Sequence, residues 1–272
     1  MTDAGRPLAP STLDLAYEER GAGEAIVLVH GHPFDRRMWR PQLESLSDAF
    51  RVIAPDLPGY GASHPRNGTM TMRALADSVV ELLDAIEVER AVVVGLSMGG
   101  LVSMEIGLGH PDRTYGVVLA ATTAAPVTPE EAASRRAVAA DLEENGMLTV
   151  ALEMAGRLFG SRARRDPAVV LAVFEMMMTA QPQGAAAALR GRAERPDYAS
   201  LLGDLRVPAL VIAGDEDAYS SAPVTEQLVA SLPEPEVVLL DGIGHLPNLE
   251  DPGRFDTALR SFAERVTGSS NR

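Results

Sequence analysis

Short apolar runs alternate with stretches of helical periodicity along most of this chain. Residues 25–29, 91–94, 115–121 and 209–213 are continuous runs dominated by Ala, Val, Ile and Leu. Runs this short and this apolar predict parallel strands buried on both faces. Residues 13–19 alternate apolar and polar side chains, which predicts a half-exposed edge strand. Residues 51–54 and 237–240 predict further strands. Residues 72–86 carry Leu75, Val79, Leu82, Leu83 and Ile86 at the spacing of one helix face. Residues 38–46, the stretch that closes at His110-Pro111, and residues 252–266 also predict helices. From 126 to about 198 there is no strand pattern, and a block rich in Ala, Arg, Met and Glu predicts several short helices. The alternation implies an α/β fold: a mostly parallel sheet, helices on both faces and right-handed crossovers. The helical block breaks it after the sixth strand of the expected sheet. Over the sheet's carboxyl edge, where ligands bind in such sheets, that block would serve as a cap. The expected division is a core of residues 1–122 and 207–272 with residues 123–206 inserted as the cap.

Bulk properties narrow the function. A chain of 272 residues, 46% hydrophobic, suits one large α/β domain, or a core domain with an insertion. A net charge of −14 argues against nucleic acid as a partner, because phosphates call for a basic surface. The absence of cysteine removes disulfides, thiolate metal sites and cysteine nucleophiles. Residues 1–10 lack the apolar segment of a signal peptide, and no run of about 18 apolar residues exists to span a membrane. The expectation is a soluble cytoplasmic protein.

Gly95-Leu96-Ser97-Met98-Gly99 follows one apolar run and precedes a helical stretch. Strand, Gly-x-Ser-x-Gly and helix in that order make a nucleophile elbow, which holds the serine in a strained turn with its hydroxyl above the sheet. A serine hydroxyl needs a base, and the base needs a carboxylate to orient it. Of five histidines, His245 lies in a loop directly after the last predicted strand, at the same sheet edge as Ser97. The strand ending at Gly214 is followed by Asp215-Glu216-Asp217. Asp217 is the chosen carboxylate, with Asp215 as a competitor better suited to a turn. Two backbone N–H groups are expected to hold the oxyanion, those of Met98 and of His32 in His30-Gly31-His32-Pro33. Pro33 has no N–H to offer. His30 and His32 have no further ligand at metal spacing, so neither a metal nor a cofactor is expected.

These motifs resemble the α/β-hydrolase superfamily over nearly the whole chain. His30-Gly31-His32-Pro33 is similar to its oxyanion segment, and the stretch Asp56 to Ser63 to its Asp-x-x-Gly-x-Gly-x-Ser turn, whose role is structural. His245-Leu246-Pro247-Asn248-Leu249-Glu250-Asp251-Pro252 is similar to esterases, lactonases and cofactor-free haloperoxidases, and the elbow and histidine loop to 3-oxoadipate enol-lactonases. The resemblance implies an eight-stranded sheet with the cap after strand 6. It implies a serine hydrolase for a small ester or lactone, with a perhydrolase or a non-enzymatic small-molecule sensor as alternatives. Ser97 at the elbow departs from the dehalogenases and epoxide hydrolases, which carry aspartate there. Trp39 and Met177 are candidates for the substrate pocket or for ordinary packing. Arg135, Arg136, Arg162, Arg164 and Arg165 are candidates for a substrate carboxylate or for solvated ion pairs.

Overall fold

The computed structural model describes residues 15–66 and 68–268. Leu13 and Asp14, the start of the expected edge strand, lie outside the described residues, as do residues 1–10. Strands β1 (Tyr17–Arg20), β2 (Ala25–Val29), β3 (Arg51–Pro55), β4 (Ala91–Leu96), β5 (Thr114–Ala120), β6 (Ala209–Gly214) and β7 (Glu236–Leu240) form one sheet. Its order is β1-β3-β2-β4-β5-β6-β7. Only β1 is antiparallel to its neighbour. The expected eighth strand is not found among the described residues. Among the described residues the sheet has seven strands, and the helical block follows β5. The apolar pattern itself marks seven runs; the higher count came with the resemblance.

Helices α1 (Arg40–Ser45), α2 (Met72–Ala85) and α3 (Met98–Gly109) lie between the first five strands. The block between β5 and β6 holds α4 (Pro129–Asn145), α5 (Leu148–Leu158), α6 (Pro167–Met178), α7 (Pro182–Ala193) and α8 (Tyr198–Leu201). After β6 come α9 (Ala222–Ser231), α10 (Pro247–Glu250) and α11 (Pro252–Thr267). Their ends are written locally. Thr71 accepts from the Ala74 N–H at the start of α2, and Thr128 from the Glu131 N–H at the start of α4. Asp251 caps α11 ahead of Pro252.

Successive strand side chains point to opposite faces, which explains the unbroken apolar runs. Val27, Val93, Val117 and Val211 join Leu75, Val79 and Leu101 in one buried cluster. Ile26, Leu28, Val94 and Ile212 join Leu43, Phe255 and Phe262 in the other. Each fully buried Val, Leu or Ile contributes about 1.5–3 kcal/mol. The edge strand β7 is less covered and leaves Val237 and Leu239 exposed. Among the described residues no helix is long and apolar enough to cross a membrane.

Small residues let α7 pack at backbone distance on the segment after β3. A Cβ on Gly184 would lie 2.0 Å from the Gly59 carbonyl oxygen, and one on Gly191 would lie 1.7 Å from that of Met70. Between them the Met70 N–H donates to Ala187 O at 3.1 Å. The other side of α7 packs on α4.

Candidate active site

Parallel register brings the carboxyl ends of four strands to one edge. Val29 pairs with Gly95, Leu96 with Ala120, and Gly214 with Leu240. The loops after β2, β4, β6 and β7 therefore open side by side. They carry His32, Ser97, Asp217 and His245.

Ser97 follows β4 with φ +55° and ψ −110°. A non-glycine residue rarely takes positive φ, and the neighbours hold it there. The Ser97 N–H donates to Ala120 O at 2.9 Å. Its carbonyl accepts from Thr122 Oγ1 at 2.7 Å. The flanking glycines are sterically required. A Cβ on Gly95 would sit 2.1 Å from Gly99 O, and one on Gly99 would sit 2.1 Å from Val29 O.

His245 and Asp217 are in direct contact. His245 Nδ1 lies 2.8 Å from Asp217 Oδ2 and 3.0 Å from Oδ1. An ionised carboxylate only accepts, so Nδ1 carries the proton and Nε2 is left as the basic nitrogen. Burial alone would raise the Asp217 carboxyl. The His245 charge and hydrogen bond, with the N–H groups of Ser220 and Tyr219, outweigh burial and hold it below its ordinary value. Asp215 has the other role: its Oδ1 accepts from the Gly242 N–H at 2.7 Å, a brace between two loops. The structure brings His245 and Asp217 together, while Ser97 Oγ makes no hydrogen bond to His245 among the described residues. Such bonds are often long before substrate binds.

Gly31 has no Cβ because Leu96 O and Ser97 Cβ lie 3.0 and 3.4 Å from where one would be. This close approach sets the His32 segment against the elbow. The backbone N–H groups of His32 and Met98 have no acceptor among the described residues. The His32 side chain is buried, with Nδ1 2.8 Å from the Tyr60 hydroxyl. Burial, then the charge of Arg192, then that of His30, push His32 well below its ordinary value, so the ring is neutral. The His30 ring is fully committed: Nδ1–H donates to Gly31 O at 2.8 Å and Nε2 accepts from the Leu57 N–H at 2.9 Å. The Asp-x-x-Gly-x-Gly-x-Ser turn braces the same region. Asp56 accepts from the Arg36 and Ala62 N–H groups and pairs with the Arg36 guanidinium. Gly61, at φ +50°, leaves room for that carboxylate.

Several residues at this edge had no distinct sequence signal. Glu250 accepts from the N–H groups of Gly160, Gly244 and Leu246, which fixes the histidine loop to the end of α5. Tyr219 packs its ring 4.9 Å from that of His245, and Arg157 lies 4.7 Å from the Tyr219 ring centre. Thr122 clamps Ser97, and Tyr60 positions His32. Trp39 is fully buried with its ring 6.1 Å from that of Phe255, and Met177 is buried in the same cluster. His64 is an exposed loop residue, and His110 follows the last turn of α3.

Comparison with known proteins identifies the family of this fold. The model of the alpha/beta hydrolase family matches residues 26–258. An esterase from Thermogutta terrifontis, solved with malate bound, superposes with a TM-score of 0.90 at 40% identity, covering 93% of each chain. A pimeloyl-[acyl-carrier protein] methyl ester esterase of Vibrio cholerae is 31% identical over 93% of this chain and 100% of its own length. A 3-oxoadipate enol-lactonase of Acinetobacter baylyi is 28% identical over 89% of both. With the elbow, the sheet order and these relatives in agreement, the chain belongs to the α/β-hydrolase family, in its esterase and lactonase branch.

Proposed function

We propose that this protein is a serine hydrolase that cleaves a small-molecule carboxylic ester or lactone through an acyl-enzyme. The observation that carries the reading is the positive-φ backbone of Ser97, held on the same sheet edge as a hydrogen-bonded His245–Asp217 pair. Strain of this kind is retained where it presents a reactive atom. The esterase and lactonase relatives add support.

His245 Nε2 takes the Ser97 proton as Oγ bonds to the substrate carbonyl carbon. The N–H groups of His32 and Met98 hold the resulting oxyanion. The intermediate collapses, the C–O bond to the alcohol breaks, and His245 passes its proton to the departing oxygen. Water repeats the sequence on the acyl-enzyme and releases the acid. Asp217 stays ionised and holds the His245 ring in orientation. In this reading residues 123–206 form the cap over the reacting centre.

Hydrolysis of p-nitrophenyl acetate, butyrate and octanoate by wild type, Ser97→Ala and His245→Ala tests it. Both variants are expected to lose about 10³-fold or more in kcat. Turnover that survives either substitution would overturn the mechanism.

A further inference from the structure

Two arginines of the helical block have an Nε that is sealed from solvent and without a partner, Arg192 and Arg195. Their situations differ. Arg195 uses the rest of its guanidinium on main-chain carbonyls, Ala125 O at 3.0 Å and Arg192 O at 3.5 Å. The Arg192 guanidinium makes no hydrogen bond and no ion pair among the described residues. Three carboxylates of the neighbouring helices are engaged elsewhere. Glu131 pairs with Arg135, Glu143 with Arg190, and Glu105 accepts from the Tyr198 hydroxyl. Desolvation, with the repulsion of Arg135 and Arg195, brings Arg192 down to about 10. A charge kept in surroundings this poor awaits a counter-charge.

Its location identifies where that counter-charge would come from. Arg192 lies in the last turn of α7, the helix packed at backbone distance on the segment that includes Tyr60. Its charge is felt by His32, Tyr60 and Tyr219. Tyr60 bonds the His32 ring, and Tyr219 packs on His245. The unpaired cation thus acts on the side chains that flank the reacting centre. The chain has no lysine, so all 24 of its cationic side chains are arginines, whose planar fork matches a carboxylate. A net charge of −14 repels an anionic substrate at long range, and only a local cation can offset that.

We propose that Arg192 forms an anion subsite in the cleft, and that the ester or lactone cleaved carries a free carboxylate that pairs with this guanidinium. The inference rests on the hydrolase reading for the ester, but not for the anion. Calorimetry tests the subsite without catalysis. Succinate, glutarate and adipate are titrated into Ser97→Ala and into Ser97→Ala with Arg192→Gln, with butyramide as the uncharged comparison. At least one diacid is expected to bind Ser97→Ala more tightly than butyramide does, and at least tenfold more weakly once Arg192→Gln is added. Arg192→Lys, which keeps the charge without the fork, is expected to fall between. Equal affinity in the presence and absence of Arg192→Gln, or no preference for any diacid, would overturn the subsite. In turnover, the ratio of kcat/KM for p-nitrophenyl hydrogen glutarate over p-nitrophenyl butyrate is expected to drop at least tenfold in Arg192→Gln. An unmoved ratio would overturn it too. Ester turnover indifferent to Ser97→Ala would defeat the hydrolase reading alone, and the calorimetry would still decide the subsite.

Discussion

Ser97 and Arg192 sit in contrasting surroundings. The backbone of Ser97 is gripped on both sides, by Ala120 and Thr122, and the glycines around it admit no side chain. Asp217 and His245 are held as firmly, one by two backbone N–H groups and the other through Glu250 and its loop. Arg192 stands on a well-packed helix with its own charge unanswered. The sheet edge is held rigidly, as the proposed reaction would require, because small displacements of catalytic groups are costly. The helical block leaves one strong interaction unmade, as a recognition surface does. On the proposed reading, chemistry belongs to the strand ends and selectivity to the helices.

The comparison can be broken first at Asp217. Asp217→Asn removes the acceptor that fixes the His245 tautomer, and kcat is expected to fall about 10³–10⁴-fold. Circular dichroism should show the fold retained. A loss under tenfold would show that His245 is oriented by something else. The same carboxylate makes stability depend on pH. Its folded value lies below the unfolded value of about 3.9. Its contribution is therefore present above about pH 4 and is lost as pH falls through the lowered value. The stability difference between wild type and Asp217→Asn, followed by urea unfolding from pH 7 to pH 3, should shrink toward the acid end.

Next in size is Gly99→Ala. The added methyl would meet the Val29 carbonyl, and the strand cannot yield without disturbing the sheet. About 3 kcal/mol of stability should be lost, measured by urea unfolding. Glu250→Gln comes third. Its amide nitrogen cannot accept, so some of the three N–H groups now served by the carboxylate lose their acceptor. The cost should be about 1–3 kcal/mol, with a lowered kcat as the His245 loop loosens. The smallest effect has the opposite sign. Arg192→Met replaces an unpaired, half-buried charge by a shorter thioether. It should stabilise the protein by about 1 kcal/mol and raise Tm by a few degrees. A fall in Tm would mean that Arg192 is already satisfied, and the contrast would vanish.

The strands, the elbow backbone at Ser97 and the His245–Asp217 contact were legible because strong local constraints write them. A strand buried on both faces must be apolar throughout, and an elbow that excludes side chains must carry glycines at fixed offsets. Position after a strand end selected His245 over four other histidines, and Asp217 over Asp215. The proposed anion subsite was not legible. Arg135 and Arg162 attracted notice because arginines cluster around them, yet they pair with Glu131 and Asp251. Arg192 lies in a run of alanines and glycines where nothing local distinguishes it. Its significance depends on which carboxylates fail to reach it, a property of packing that sequence spacing does not encode. Glu250 escaped for a similar reason, since two of its three donors flank His245 while the third comes from the end of α5.

The glycine contacts of α7 bear on how a substrate reaches the cleft. Gly184 against Gly59 and Gly191 against Met70 join the helix to the core through main chain, with no side chain between to act as a cushion or a pivot. Lifting α7 would break both seams and the Met70–Ala187 hydrogen bond in one motion. The helix is thus mechanically part of the core, and Arg192 is a fixed landmark. With residues 123–206 as the proposed cap, any opening motion falls to α5 and α6, whose Leu148, Leu152 and Leu171 are exposed to solvent. On the proposed reading, one wall of the cleft is rigid and carries Arg192.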